Sequence, residues 1–374
     1  MEISVNRPIL MHIQNHFQRG AIPHIIRDLQ PVVGKHYEVH TVALQDIKDQ
    51  TLVDEFKDIG ITVHALGCSR WNLPLAAFRL RTFLSRKNLA VVHAHAGRGA
   101  MLAPLCAPVS TKVFTTFHSV ASGFSFPTRK GRLLTDRWLT GRTCVSEAVN
   151  ESWRAFGINN AATVYNPVDV SRYKIDTAAA DTVRKEFNIP EDVKLLLNVG
   201  RLTFAKAQDV LLDAVAALKK QQNNDFRLII AGQGPDEEKL KARAKELGLE
   251  ETVYFAGFRK DVQKLLAAAD IFVFPSRWEG LPVTALEAMA AGTVVLASDI
   301  KPTKEYLTDG VSGLVTPVND AKKLSDCLNN LLNNKAKRER FAAAGQAYVR
   351  QYFAPEHIAR QYLSIYEGRM NEPK

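Results

Sequence analysis

The segment Ile271–Ala291, IFVFPSRWEGLPVTALEAMAA, is the most informative stretch of this sequence. Its first four residues form an apolar run that predicts a buried strand, and Pro282 stands where a helix can begin. The segment is therefore predicted as a strand, a loop and a helix. This arrangement places Glu279 on the loop and Glu287 about one turn into the helix.

The loop has the composition of a ligand-binding loop. Gly280 lets the backbone approach a ligand closely, and the free N–H groups at the helix start suit a phosphate or a sugar hydroxyl. Two carboxylates beside such an anion site are able to hold a polyhydroxy ligand that carries a phosphate. The alternative is an ordinary helix start with an acidic first turn, which is common.

The Glu-x7-Glu spacing within EGLPVTALEAMAAG resembles glycosyltransferase family 4, the retaining sugar-nucleotide enzymes with the GT-B fold. The resemblance covers nearly the whole chain and is strongest from Leu195 to Val318. It implies an α/β protein of two facing Rossmann-like domains with parallel sheets, and a C-terminal helix that crosses back to the first domain. It also implies no cofactor and no obligatory metal, because cationic side chains and a helix N-terminus supply the positive charge.

Length and composition agree with a two-domain globular chain. The chain has 374 residues and 46% hydrophobic residues, which is ample for two cores. No apolar run approaches the roughly 20 residues that a membrane helix needs, and the N-terminus has no signal-peptide pattern. We therefore expect a cytoplasmic chain. The four cysteines are widely spaced and form no CxxC pair, which argues against a metal or disulfide framework.

The net charge of +10 is concentrated in the first half. Between Gly60 and Arg142 there are twelve Lys or Arg residues and one acid, Asp136. Such an imbalance favours an anionic partner. Nucleic acid is one possibility, but no nucleic-acid-binding signature is present. An anionic membrane surface or a phosphate-bearing acceptor fits better, so we expect peripheral association with the inner face of the cytoplasmic membrane.

Basic and aromatic residues alternate in this half, which is a composition typical of membrane interfaces. Leu73–Lys87 is predicted as an amphipathic helix, with Arg79 and Arg86 on a face away from its apolar stripe. The other residues of this kind are Arg70, Trp71, Phe124, Phe126, Arg129, Lys130 and Arg132. The alternative is an ordinary helix with a solvated basic face.

Apolar strands alternate with amphipathic helices along the chain, which predicts parallel sheets covered on both faces. The predicted strands are 9–13, 37–44, 61–66, 90–95, 112–117, 195–200, 227–231, 253–255, 271–275 and 294–298. We expect a first domain over 1–170, a hinge over 171–192, a nucleotide-sugar domain over 193–354 and a returning helix in 355–374. Since such sheets bind ligands beyond the carboxyl ends of their strands, a site in the cleft between the domains is expected.

Loops after the strands of the second half carry the candidate donor-binding residues. Arg201 and Lys206 follow the first of these strands, where two cations would stabilise a leaving diphosphate. The resemblance supports this role, although the glycine that usually follows the lysine is Ala207 here. Two solvated surface cations are the alternative. Gly232 and Gly234 suit a tight turn that lies near the nucleotide in relatives.

The resemblance assigns further roles in this half. It implies that Glu279 contacts hydroxyls of the transferred sugar, that Glu287 binds the ribose, and that Gly280 and Leu281 line the sugar and phosphate. Thr284 is a candidate for a phosphate contact or belongs to a solvated helix face. The last two candidates for the nucleotide site are Phe258 and Arg259, with core packing of Phe258 as the alternative.

The first half carries the remaining candidates. Gly20 is a candidate for close backbone contact with phosphate or acceptor, although Ala21 breaks the glycine pair usual in relatives. His16 and Arg19 are candidates for acceptor contact, or else belong to a surface loop. His118 ends a strand, and relatives place there a histidine that touches the donor sugar. The alternative is a buried, hydrogen-bonded histidine.

His93 and His95 alternate at the end of another strand. Alternating histidines suit a metal, but no third ligand follows at usable spacing. Relatives often carry such a segment without a metal, so the resemblance implies a structural role and no metal here. Ser146 and Glu147 resemble a turn of the family that caps a helix.

Taken together, these features predict a retaining glycosyltransferase. It would move a hexose or N-acetylhexosamine from a nucleotide-diphosphate sugar, with UDP as the default nucleotide, to a lipid-linked or cell-envelope glycan such as lipopolysaccharide or capsule. The alternatives are a nucleotide-sugar epimerase on the same fold and a non-catalytic binding relative. The Glu-x7-Glu context and the pair of Arg201 and Lys206 argue against the epimerase. The presence of Glu279, Arg201, Lys206 and His118 argues against the non-catalytic relative.

Overall fold

The structure, a computed structural model, describes residues 7–47, 49–69, 72–95, 97–173, 177–221 and 225–369. It divides into two units. The first comprises Met1–Pro167 together with Pro355–Lys374, and the second comprises Val168–Ala354. Among the described residues, no helix combines the length and the apolar character needed to cross a bilayer.

The first unit contains a seven-stranded parallel sheet in the order β3-β2-β1-β4-β5-β6-β7. Its strands are β1 Ile9–Gln14, β2 Glu38–Ala43, β3 Thr62–Ala65, β4 Leu89–His95, β5 Lys112–Phe117, β6 Gly141–Cys144 and β7 Ala162–Thr163. The order reverses direction at β1, which is the pattern of a doubly wound sheet. The carboxyl ends of β1, β4 and β5 therefore lie side by side at one edge.

Helices cover both faces of this sheet. They are α1 Ala21–Val33, α2 Gln50–Asp58, α3 Leu73–Ser85, α4 Gly97–Cys106, α5 Phe126–Thr135 and α6 Glu147–Arg154. Side chains cap three of them: Asp49, Asn72 and Ser146 accept the N–H groups of the first turns of α2, α3 and α6. The predicted cap at Ser146 is therefore confirmed.

The C-terminal helix belongs to the first unit, as the fold prediction required. It spans Pro355–Glu367, which we label α14, and packs against α1. Its inner face buries Ile358, Tyr362 and Tyr366 in the core beneath β1 and β4. The carbonyl oxygen of Tyr366 also accepts a 2.9 Å hydrogen bond from Lys112 Nζ.

The second unit contains a six-stranded parallel sheet in the order β10-β9-β8-β11-β12-β13. Its strands are β8 Lys194–Val199, β9 Phe226–Ala231, β10 Val253–Gly257, β11 Ile271–Phe274, β12 Val294–Ser298 and β13 Gly313–Thr316. The central strands β8 and β11 are almost entirely buried, which accounts for their continuous apolar sequences.

The helices of the second unit are α7 Thr177–Glu186, α8 Gln208–Gln221, α9 Glu237–Glu246, α10 Val262–Ala268, α11 Val283–Ala290, α12 Ala321–Leu332 and α13 Lys335–Tyr352. α7 lies inside the segment 171–192 that we expected as a hinge. It packs against α10 and buries Val183, so this part of the segment belongs to the second unit.

Candidate functional site

The loop after β8 carries Arg201 and Lys206 and is anchored to two strands. Gln208 Nε2 donates to the carbonyl oxygen of Arg201 at 3.2 Å and to Asn198 Oδ1 at 3.3 Å. Asn198 Nδ2 in turn donates to the carbonyl oxygen of Val273 on β11 at 2.8 Å. The backbone of the loop is thus fixed by a buried amide chain, while the side chain of Arg201 is exposed.

Ala207 stands where the resemblance led us to expect a glycine. It is fully buried and ends a short turn with φ of 54°. This left-handed conformation favours glycine, and a residue with a Cβ adopts it at a cost of roughly 1–2 kcal/mol. The chain therefore keeps the turn with alanine in place of glycine.

Lys206 and Glu279 form an ion pair in the second unit. Lys206 Nζ lies 2.6 Å from Glu279 Oε1, and the two side chains are 21% and 15% exposed. The ammonium also lies 4.8 Å from the centre of the Phe274 ring. Both groups are held at the carboxyl ends of β8 and β11, where a doubly wound sheet binds ligands.

Arg277 links the loop after β8 to the loop after β11, the two loops that carry this ion pair. Its guanidinium donates to Asp209 Oδ2 at 2.7 Å, to Asn319 Oδ1 at 2.7 Å and to the carbonyl oxygen of Phe204 at 2.6 Å. Its backbone N–H donates to the carbonyl oxygen of Ala205 at 2.8 Å. Burial raises the pKa of Asp209, but Arg277 outweighs this effect and holds that pKa below its ordinary value.

Gly232 and Gly234 permit a close approach between two loops. A Cβ on Gly232 would lie 1.9 Å from the carbonyl oxygen of Gly200, and one on Gly234 would lie 2.1 Å from that of Leu202. Leu202 N donates to the carbonyl oxygen of Gln233 at 3.1 Å across this contact. The two glycines therefore support the backbone on either side of Arg201.

The Glu-x7-Glu segment has the local structure that the sequence predicted. Glu279 lies on the loop after β11, and Glu287 lies on α11, where it is buried. Gly280 and Leu281 are buried just before the helix, and Thr284 is partly exposed in its first turn. The two carboxylates, the loop backbone and the helix start thus belong to one continuous segment.

Two buried hydroxyls near Glu279 were missed by the sequence reasoning. Ser276 is fully buried, and its Oγ makes no hydrogen bond within the described part of the chain. Tyr306 is 1% exposed. Burial raises the pKa of its phenol, and the charge of Glu279 adds a smaller rise. No motif marked either residue, because serine and tyrosine are common in loops.

Phe258 and Arg259 differ in their surroundings. Phe258 is 53% exposed, so the alternative of core packing is wrong. The guanidinium of Arg259 pairs with Glu186 and, at 2.8 Å, with Asp261. The carboxylates of Glu186 and Asp261 raise its pKa. Arg259 is thus held by two carboxylates, a structural arrangement that the sequence did not indicate.

The first unit contains a chain of three hydrogen-bonded histidines. His12 Nδ1 lies 2.8 Å from His95 Nε2, and His95 Nδ1 lies 3.1 Å from His118 Nε2. Each bond requires one nitrogen to donate and the other to accept, so the tautomers of the three rings are coupled. His118, the residue predicted to face the donor sugar, is therefore positioned through His95.

His12 is also the third histidine that the sequence argument missed. The ligand atoms of His12, His93 and His95 lie within 4.8 Å of one another, so the expectation that no third ligand is available was wrong. However, His93 Nδ1 lies 2.6 Å from Tyr366 Oη and His93 Nε2 lies 2.6 Å from Thr116 Oγ1. These hydrogen bonds satisfy both nitrogens of His93 and favour a structural role for it.

Burial keeps these histidines neutral. It lowers the pKa of His12 to about 3 and the pKa values of His93 and His95 well below the ordinary histidine range. Burial, with a smaller effect from the positive charge of Arg132, lowers the pKa of His118 to about 3. At neutral pH the chain therefore presents neutral imidazoles, which orient by hydrogen bonding and carry no charge.

The candidates after β1 have ordinary surroundings. Gly20 is exposed before α1, and a Cβ there would meet only the carbonyl oxygen of Gln18 at 3.9 Å. His16 is exposed. Arg19 pairs with Glu55 and, at 3.2 Å, with Asp49, which ties it to α2. The structure gives Arg19 a structural role that the sequence did not indicate.

The basic candidates of the first unit fall into two groups. Arg79 donates to the carbonyl oxygens of Leu66 and Gly67 and so closes the loop after β3, while Arg86 is exposed at the end of α3. On α5, Arg129 lies 5.1 Å from the centre of the Phe156 ring, and Lys130 lies 4.7 Å from that of Phe126. Arg70 and Trp71 lie outside the described residues.

An exposed apolar surface accompanies the basic residues of α5. We call Phe126, Lys130, Leu133, Leu134 and Trp138 the α5 patch. Its four apolar members are 40–67% exposed. Large apolar side chains exposed beside basic ones suit a membrane interface, where rings and aliphatic chains contact lipid and cations contact headgroups.

Comparisons with known sequences agree with this geometry. The profile described as "Glycosyl transferases group 1" matches residues 180–348, and the profile "Glycosyltransferase Family 4" matches residues 32–172. The chain is 31% identical over 304 residues to a phosphatidyl-myo-inositol mannosyltransferase of Mycobacterium leprae, covering 79% of this chain and 77% of that protein. It is 33% identical over 178 residues to the lipopolysaccharide core mannosyltransferase LpsB of Rhizobium meliloti, covering 46% and 50%.

Solved structures of the same fold were also found. The structure of Anabaena Alr3699/HepE in complex with UDP and glucose has a TM-score of 0.86 at 19% identity, covering 97% of this chain and 100% of that one. WaaG, a glycosyltransferase involved in lipopolysaccharide biosynthesis, has a TM-score of 0.74 at 18% identity, covering 96% and 100%. At these identities the likeness establishes the fold.

Proposed function

The chain belongs to glycosyltransferase family 4, and from that premise we propose that it is a retaining hexosyltransferase. It moves a hexose or N-acetylhexosamine from a nucleotide-diphosphate sugar to a lipid-linked or cell-envelope glycan. One mannosyltransferase relative is named for phosphatidyl-myo-inositol and another for lipopolysaccharide core biosynthesis, which supports an acceptor of this kind. UDP is the nucleotide proposed, because the HepE structure contains it.

The observation that carries this proposal is the ion pair between Lys206 and Glu279. In it an ammonium group and a carboxylate meet at the carboxyl ends of neighbouring strands, with the exposed Arg201 on the same loop as the lysine. When the bond to the sugar breaks, the leaving diphosphate gains negative charge, and two fixed cations stabilise that charge. Arg201 offers a planar fork for phosphate oxygens, whereas Lys206 acts as a point charge.

The two glutamates take different parts of the donor. Glu279 accepts hydrogen bonds from hydroxyls of the transferred sugar. The buried hydroxyl of Ser276, which lacks a partner among the described residues, offers a further hydrogen-bonding group for the sugar. Glu287 accepts hydrogen bonds from the ribose hydroxyls. The loop backbone at Gly280 and Leu281 lines the sugar and the phosphates, and the N–H groups at the start of α11 face the phosphates. A carboxylate that accepts hydrogen bonds from two hydroxyls strengthens donor binding without any metal ion.

The remaining candidates support the nucleotide and the transfer. The turn at Gly232 and Gly234 holds the backbone beside Arg201, and Phe258 offers an exposed ring to the base. Thr284 donates to a phosphate oxygen. His118 is neutral and fixed by His95, so it donates or accepts a hydrogen bond at the sugar without adding charge. The anomeric configuration of the sugar is retained if the acceptor hydroxyl attacks the face from which the phosphate leaves. A phosphate oxygen then accepts the proton of that hydroxyl.

We also propose that the first unit binds an anionic membrane surface through the α5 patch. Basic residues near an anionic leaflet contribute about 1 kcal/mol each, and exposed aromatic rings add interfacial contact. Lys130 and Arg129 supply charge, and Phe126, Leu134 and Trp138 supply apolar surface. This location would bring the enzyme to an acceptor that is anchored in the membrane.

The direct test is a calorimetric screen of UDP-, GDP- and ADP-sugars with the full-length chain. A ligand at a hundredfold excess over its dissociation constant stabilises the fold by about 2.7 kcal/mol, which is readily detected. We expect one nucleotide to bind, and its sugar to be released or transferred with retained anomeric configuration. Conversion of the donor to an epimer without an acceptor would favour the epimerase, and failure of every donor to bind would reject the proposal.

A further inference from the structure

The guanidinium of Arg132 is buried without a hydrogen-bond partner. The residue is only 4% exposed, and none of its three nitrogens makes a hydrogen bond within the described ranges. No carboxylate among the described residues forms an ion pair with it. A guanidinium carries five N–H donors and stays charged in proteins, so burying it unpaired is unfavourable.

Two other buried or partly buried arginines of this protein show how a guanidinium finds acceptors. Arg338, which is 8% exposed, donates to the carbonyl oxygens of Leu331 and Leu332. Arg142 donates to the Asp136 carboxylate at 2.5 Å and 2.8 Å. Arg132 differs from both, because all three of its guanidinium nitrogens are buried without a hydrogen-bond partner among the described residues.

Three aromatic rings surround the Arg132 cation. The centres of the Phe117, Phe124 and Trp153 rings lie 4.8, 5.1 and 5.4 Å from its Cζ. Aromatic faces attract a cation and hold it in place. They offer no oxygen acceptor for the N–H donors, so the cage fixes the guanidinium while leaving its hydrogen-bonding capacity unused.

The cage lies at the edge of the sheet where ligands bind. Phe117 is the last residue of β5, and His118 follows it directly. The ring that Arg132 Cζ approaches most closely, that of Phe117, is thus on the residue next to His118. Arg132 lies on α5, the helix that also carries Phe126, Lys130, Leu133 and Leu134 of the α5 patch. One helix therefore links a surface suited to lipid with a buried cation beside a candidate catalytic histidine.

We propose that Arg132 binds a phosphate group carried by the glycosyl acceptor, next to His118. The planar fork of a guanidinium matches the oxygens of a phosphate, and a phosphate supplies the several acceptors that this site lacks. The inference rests on the proposed function, because it names the chemistry of the acceptor. Arg132 is then an acceptor-binding residue that orients the attacking hydroxyl through the phosphate.

Inorganic phosphate is the probe for this site. The measurement uses the full-length chain carrying Arg201→Ala and Lys206→Ala, which removes the candidate phosphate-binding cations of the second unit. Melting temperature is followed against phosphate, with ionic strength held constant by chloride. We expect Arg132→Gln to weaken the apparent phosphate affinity by about tenfold or more. Arg154→Gln, an exposed arginine beside Trp153 in the chain, is the matched control and leaves the affinity unchanged.

A second variant keeps the test decisive if Arg132→Gln does not fold. Arg132→Lys retains the charge but loses the planar fork, so it retains a weaker phosphate response than the parent. An unchanged response in the folded Gln or Lys variant, or no response in the parent, would overturn the assignment. UDP binding is measured in parallel in the chain with native Arg201 and Lys206. A chain that binds UDP without any Arg132-dependent phosphate response keeps the proposed function and loses this inference.

Vesicles distinguish the two sources of such a phosphate. Binding to phosphatidylglycerol vesicles that falls in Arg132→Gln and is competed by inorganic phosphate assigns the group to a lipid. Vesicle binding that is the same in Arg132→Gln, together with a retained Arg132-dependent response to inorganic phosphate, assigns it to a soluble acceptor. Phosphatidylcholine vesicles serve as the neutral control.

Discussion

Lys206 Nζ lies 2.6 Å from Glu279 Oε1. Lys206, which we assign to the leaving diphosphate, and Glu279, which we assign to the sugar, therefore neutralise each other when no donor is bound. A diphosphate that binds near Lys206 must compete with the Glu279 carboxylate for the ammonium. In the proposed function, donor binding therefore replaces the contact between Lys206 and Glu279 with one between Lys206 and the diphosphate.

This competition predicts an unusual result for Glu279→Gln. Removing the carboxylate charge frees Lys206, so UDP should bind as tightly as to the wild type, or more tightly. Turnover should fall by about a hundredfold, because the charge on the sugar ring in the transition state loses its partner. Calorimetry and a nucleotide-release assay measure the two effects. Weaker UDP binding in Glu279→Gln would mean that Glu279 serves the nucleotide. Glu250→Gln, an exposed glutamate, is the control.

Glu287→Ala should show the opposite pattern. The ribose contacts are the same in the ground state and the transition state, so their loss weakens binding and leaves the chemical step largely unaltered. We expect the dissociation constant of UDP to rise about tenfold or more, with turnover at saturating donor changed far less. Calorimetry on a variant with a native circular dichroism spectrum measures this. Unchanged UDP affinity would require another role for Glu287.

Membrane binding should depend on the α5 patch. The protein is expected to sediment with phosphatidylglycerol vesicles at low salt and to dissociate from them as the salt concentration rises. It is expected not to bind phosphatidylcholine vesicles. Lys130→Glu combined with Leu134→Glu should abolish binding, because it reverses a charge and places another on the exposed apolar surface. Val311→Glu alters an exposed apolar residue of the second unit and should leave binding intact. Equal sedimentation with both lipids would reject an electrostatic interface.

The buried histidines predict that stability decreases in mild acid. The folded-state pKa values of His12, His93 and His95 lie below the value of about 6.5 for an unfolded chain. Their contribution is complete above pH 6.5 and is lost as the pH falls below it, because the unfolded state then binds more protons. Each such histidine adds a slope of up to about 1.4 kcal/mol per pH unit.

Urea unfolding between pH 7.5 and pH 5.5 measures this slope, and the loss should appear in the first unit. Replacing exposed His36 by Gln should leave the slope unaltered. A free energy of unfolding that is constant over this range would show that the histidines are charged or solvated in the folded protein.

The sequence predicted the second unit better than the first, for reasons of topology. Lys206 and Glu279 each follow a strand, and the carboxyl ends of parallel strands share one edge, so their loops were expected there. What brings the two loops together is the pairing of β8 with β11, in which Ile271 lies opposite Leu196. Because that pairing joins distant parts of the chain, sequence alone predicts which loops carry the site but not which side chains meet.

The residues that were missed depend on long-range register or burial. His12 joins the histidine cluster because β1 and β4 pair with His12 opposite His93, which no local pattern encodes. The sequence groups Arg132 with the basic and aromatic residues typical of a membrane interface, because nothing in its neighbourhood distinguishes a buried arginine from an exposed one. The strands Gly141–Cys144 and Gly313–Thr316 were not predicted, since runs of four mixed residues carry little periodic signal.

Turnover of the Arg201 and Lys206 variants tests the central claim most directly. Nucleoside-diphosphate release from the preferred donor is measured with saturating acceptor extract for the wild type, Arg201→Ala, Lys206→Ala and the control Lys219→Ala, whose ammonium donates to the carbonyl oxygen of Gly248. We predict a loss of about a hundredfold or more in kcat/KM for each of the first two variants, with native folds, and no loss for the control. Near-normal transfer by both single variants would contradict the account.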